Sequence, residues 1–123
     1  MKALEWILRL AVAGEFLGHG VYALRGEPSF VALITGAVDL SEETARRALV
    51  VIGAIDVAIA ALALLKPWRP ALLYAALWGL ATAAARPLSG ATEMWAFVER
   101  FPNWAAPLAL WVVLGQKARS SWR

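Results

Sequence analysis

The chain has 123 residues, of which 61% are hydrophobic and 17% charged, with a net charge of +3, one histidine and no cysteine. Soluble domains carry ~45–50% apolar and ~25% charged residues, and one this small has too little interior to hide the surplus; the composition predicts an all-α integral membrane protein, residues 1–123 forming a single domain. Without cysteine there is no disulfide, thiol redox chemistry or iron–sulfur ligation, and one histidine excludes a bis-histidine haem in this chain.

The basic residues flank apolar runs rather than forming a stripe with aromatics, which argues against a nucleic-acid partner and for membrane lipids.

The first apolar run, about 4–24, is long enough to cross a ~30 Å hydrocarbon layer at ~1.5 Å per residue. Lys2 and Ala11-Val12-Ala13 resemble a signal peptide, but Glu5 and Arg9 interrupt its apolar core, so the run reads as a retained helix. Glu5 and Arg9 are spaced to pair on one helix face, with Arg9 snorkelling to the nearer surface. Gly14 and Gly18 form a small-residue strip that predicts a close helix partner there. Beside it runs a stripe of Leu8, Ala11, Glu15, His19 and Tyr22.

A long connection follows. Pro28 opens a short interfacial segment that Gly36 ends, and Ser41 then caps a helix with Glu42 and Glu43 in its first turn. The second span, about 48–65, holds a single charge, Asp56. Lys66-Pro67-Trp68-Arg69-Pro70 forces a hairpin into the third span, about 71–86. There Tyr74, Trp78, Thr82 and Arg86 recur every fourth residue and so share a face.

Pro87 to Gly90 breaks that helix. Thr92 to Phe101 reads as a second interfacial segment, with Met94, Trp95, Phe97 and Val98 as its apolar side. Asn103 is the expected cap of a fourth span, about 103–116, with Pro107 in its first turn, and a basic tail ends the chain.

Four spans make an antiparallel bundle with two interfacial segments and both termini on one side. Lys2, Lys66, Arg69, Lys117, Arg119 and Arg123 then face Arg25, Arg46, Arg47, Arg86 and Arg100 across the membrane, which favours cytoplasmic termini. Trp6, Trp68 and Trp122 form one aromatic belt, Trp95 and Trp104 the other.

Glu15 and Asp56 lie near the centres of antiparallel neighbours and so at similar depth, with His19 about 6 Å further along the first helix by its rise. Intramembrane ionisable groups are costly and mark sites by default. Glu15, His19 and Asp56 suit a proton relay, or weakly a metal site. With Tyr74, Trp78 and Arg86 they suit the polar head of a lipophilic ligand such as a quinone. The plain alternative is that they only tie helices together, at roughly 0.6 kcal/mol per bond. No nucleophile–base pair or cofactor motif suggests catalysis by this chain itself.

These residues resemble the DoxX-like family of small four-helix bacterial membrane proteins. The likeness lies in Arg9, Gly14, Phe16-Leu17-Gly18-His19-Gly20 and Ala23-Leu24, in Ile55-Asp56-Val57 through Leu65-Lys66-Pro67-Trp68-Arg69, and in Glu99 to Leu108. The chain departs from the family pattern in having Ala60-Ala61 for a glycine pair, Asp56 for the frequent Glu, and no Lys soon after Gly20. The resemblance implies the bacterial inner membrane and an accessory, non-catalytic subunit of a quinone-linked redox or respiratory assembly, with other membrane subunits or a second copy as partners. The alternative is a stand-alone proton-coupled transporter using Glu15, His19 and Asp56.

Overall fold

The computed structural model describes residues 2–90 and 93–120. Among these the chain is wholly helical: α1 is Lys2–Leu24, α2 Pro28–Ala37, α3 Glu42–Leu65, α4 Arg69–Leu88, α5 Met94–Val98 and α6 Pro102–Ser120. Three of them, α1, α3 and α4, are long and apolar enough to cross a membrane. The expected fourth span is α6, which has the length, 19 residues, but not the apolarity to join them. Trp122 and Arg123, expected in the belt and the basic tail, lie outside the described residues, as does Thr92.

The four long helices alternate in direction. α1 packs on α3 and α6, and α6 packs on α4. Their shared core consists of Val12, Ala13, Phe16, Ile59, Ala60, Ala63, Leu72, Ala75 and Leu110. So many alanines let the helices approach closely, as helices do in lipid, where packing rather than water exclusion holds them.

The closest approach is not where the Gly14–Gly18 strip predicts it. A Cβ on either glycine would meet nothing within 4 Å. The buried face of α1 is instead Glu5, Arg9, Val12, Ala13, Phe16, Gly20 and Ala23, and helical spacing turns Gly14 and Gly18 away from it. Gly20 makes the contact: a Cβ there would lie 3.0 Å from the Gly53 carbonyl, and one on Gly53 would lie 2.8 Å from the Gly20 carbonyl. The two backbones touch.

Arg9 does not snorkel. Its Nε donates to the Ala63 carbonyl at 2.9 Å, Nη2 donates to the Leu64 carbonyl, and Nη1 donates to Glu5 Oε2 at 3.3 Å. The guanidinium thus caps the C-terminal carbonyls of α3, where the helix dipole is negative. Glu5 also accepts from Lys117 Nζ at 3.1 Å, which ties the end of α6 to the start of α1. Arg69 enters the bundle similarly, donating to the Trp111 carbonyl at 3.2 Å and lying over its ring. Lys2, Lys66, Arg69, Lys117 and Arg119 therefore share one end of the bundle, the end where the chain begins.

At the opposite, loop end, α2 packs across α3 and α4. Gly26, at φ 67, turns the chain into α2. Gly36 does not end α2, which runs on to Ala37; it lies inside the helix, where a Cβ would meet the Ser89 carbonyl at 2.9 Å. Ser41 caps α3 as expected, its side chain accepting from the Thr44 N–H.

Three smaller expectations shift. α4 continues through Pro87 to Leu88. The second interfacial segment is only the single turn and a half of α5, whose Met94 and Trp95 are exposed. α6 starts at Pro102, so Asn103 is inside it rather than capping it, and Pro107 falls in its second turn. Proline has no N–H for the Asn103 carbonyl, and that carbonyl lies against Gly79 of α4, where any Cβ would overlap it.

Candidate functional site

The Gly20–Gly53 crossing also places the polar residues. His19 precedes Gly20, and Asp56 follows Gly53 by one turn, so the contact that joins α1 to α3 brings these two side chains to one cavity. The cavity, about 240 Å³, lies at the loop end among α1, α2, α3, α4 and the α5–α6 junction. Asp56 and Trp78, from the middles of α3 and α4, lie at its deep end, and His19 lies where the charges of Arg86 and Arg100 reach it. The α4 wall repeats every four residues, Trp78, Thr82 and Arg86, and spans about 12 Å by helix rise. α2 roofs it with Phe30 and Ile34, and the Phe30 ring meets His19 edge-on at 5.9 Å. Arg100 and Asn103 close the remaining side.

Asp56 is only 3% exposed, and its Oδ1 has no hydrogen-bond partner among the described residues. A buried acceptor left unpaired costs about 1–3 kcal/mol, more when charged. Other polar groups are engaged: Thr82 donates to the Gly79 carbonyl at 3.2 Å, and Arg100 donates to Ala96 and Glu99. The fields of Arg86 and Arg100 both reach His19.

Of the six expected site residues, His19, Asp56, Trp78 and Arg86 line the cavity, and Glu15 and Tyr74 do not. Glu15 is close enough to Asp56 for their charges to interact, yet it is turned aside on α1. Tyr74 is 43% exposed and points outward, because it sits a full turn before Trp78 on a wall the cavity does not reach. Among the described residues no three His, Asp or Glu side chains converge as metal ligands do.

Phe30, Arg100 and Asn103 are cavity residues that the sequence reading leaves out. The Asn103–Pro107 spacing is the one available signal, since a proline four residues on marks a carbonyl released from the helix.

The fold and cavity define an all-helical protein with three membrane-length apolar helices and an internal space of ligand size. No family model, curated protein or solved structure matches the chain.

Proposed function

We propose that this chain is a multi-pass inner-membrane protein, with α6 as its fourth crossing, and that it serves as an accessory, non-catalytic subunit of a quinone-linked redox assembly. Its contribution is to hold the ring of a quinone in the loop-end cavity. The observation that carries this reading is the Oδ1 of Asp56, unpaired among the described residues, in a cavity whose walls are mainly apolar. A quinone supplies what that geometry lacks: a flat apolar ring for Trp78 and Ile34, and a ring carbonyl to accept from Asp56 in its carboxylic-acid form. The DoxX-like resemblance points the same way. The crossing of α6 is supported by the Lys117–Glu5 bond, since a helix beginning at the loop end and ending beside Glu5 traverses the same thickness as α1.

The transporter reading has less support, because Glu15 lies outside the cavity that His19 and Asp56 share. The test is native purification in mild detergent, with mass analysis of the complex and solvent extraction of bound quinone. Co-purifying membrane subunits and an extractable quinone are expected. A lone, monodisperse, quinone-free chain overturns the proposal.

A further inference from the structure

The two ends of the cavity differ in kind. The deep end offers the carboxyl of Asp56, whose Oδ1 is unpaired and whose residue is 3% exposed. The shallow end offers guanidinium groups from Arg86 and Arg100, which are donors only. These two cations lie close enough to act on one another. Glu99, the nearby acid, already accepts from Arg100 at 3.0 Å, and the Arg86 guanidinium donates to none of the described residues, its carbonyl alone accepting from Ser89 at 2.8 Å. Nor does Asp56 neutralise them, since among the described residues it forms no ion pair with either, and about 12 Å of α4 wall separates the two ends. A neutral ring would leave the Arg86 guanidinium with no anion bonded to it, beside a second cation whose one partner is Glu99 and against an apolar wall, where charge interactions are strong. An anion on the ring, across from the oxygen that meets Asp56, answers both ends at once.

We propose that the ring this cavity takes is an acidic one, a hydroxyquinone or a quinone carboxylic acid, with its anionic group against Arg86 and Arg100 and a ring carbonyl accepting a hydrogen bond from Asp56 in its carboxylic-acid form. The assignment rests on the quinone reading above and narrows its ligand class. Arg86 is the specificity-determining residue, because Arg100 spends part of its donors on Ala96 and Glu99.

The experiment is calorimetric titration of the full chain, in nanodiscs of zwitterionic lipid, with lawsone, an anionic hydroxynaphthoquinone, and with its neutral O-methyl ether. Lawsone is expected to bind at least about tenfold more tightly than the ether, a gap typical of one charge-assisted contact. Arg86→Gln should erase that gap, Arg86→Lys should keep part of it, and Asp56→Leu, which removes the donor to the ring carbonyl, should weaken both ligands alike. Equal affinities on the unmodified protein overturn the acid assignment and leave the quinone reading standing. Binding of neither ligand overturns both. If adding phosphatidylglycerol to the nanodisc displaces lawsone but not the ether, the arginines serve a lipid headgroup and the assignment fails. That ligand comparison uses the unmodified chain, so it holds even if a variant fails to fold.

Discussion

Replacing Gly53 by alanine tests the helix crossing on which the cavity depends. The new Cβ would lie 2.8 Å from both the Gly20 carbonyl and Leu24 Cγ, and 3.0 Å from the Leu24 amide nitrogen. Ordinary contact needs about 3.5 Å, so α1 and α3 must separate by roughly 0.7 Å at this point. The Leu24 side chain can shift, but the Gly20 carbonyl and the Leu24 amide are backbone and move only with α1 itself. Overpacking of this kind costs about 1–3 kcal/mol. The same change at Gly18 meets nothing within 4 Å, and there alanine's better helix propensity should leave stability unchanged or raise it by up to ~1 kcal/mol. The assay is unfolding in mixed micelles with increasing SDS, followed by circular dichroism, on Gly53→Ala and Gly18→Ala in parallel. Gly53→Ala should shift the midpoint down and Gly18→Ala should not. Equal shifts, or a larger loss at Gly18, would refute the crossing and return the contact to the Gly14–Gly18 strip.

Other perturbations follow from the same contacts. Arg9→Gln should cost about 1–3 kcal/mol in the SDS titration, because it uncaps two carbonyls of α3 and leaves Glu5 to Lys117 alone; Arg9→Lys should recover only a minor part, since one ammonium does not span both carbonyls and Glu5. Gly79→Ala should cost about 1–3 kcal/mol by driving α6 off α4 at the Asn103 carbonyl, and a neutral result would place that helix pair elsewhere. Trp78→Phe should remove most of the tryptophan quenching that a bound quinone produces, since Trp78 is the one tryptophan among the cavity's lining residues; undiminished quenching would mean the ring sits at another site. Cysteines introduced in turn at Lys2, Lys66 and Lys117 should all react with an impermeant maleimide from the same side of the membrane, and Arg25→Cys from the other. Labelling of position 117 from the side of position 25 would remove α6 from the set of crossings.

Much of this architecture is written locally. The apolar runs, the Ser41 cap and the proline-bounded turn at Pro67 act through neighbours in sequence: length against bilayer thickness, a side-chain oxygen for an unsatisfied amide, a ring that fixes φ. They determined the order of the helices and the segregation of the basic residues by themselves. Asp56, His19, Trp78 and Arg86 were legible as site residues because polar groups inside apolar runs are rare enough to stand out.

What sequence did not decide is which side each helix turns to its neighbour. Glycine spacing favours Gly14–Gly18, and only the packing of Phe16, Val12 and Ala23 selects the face that buries Gly20 instead. That choice sets the rest. It carries His19 to the cavity and leaves Glu15 beside it, and it brings Arg9 onto carbonyls more than fifty residues away in the chain. Tertiary structure alone supplied Phe30, Arg100 and Asn103, because a helix roof and a released carbonyl exist only once distant segments meet. Sequence fixes what each helix can offer, and the rotation that buries the most surface with the closest backbones decides which of those offers face one another.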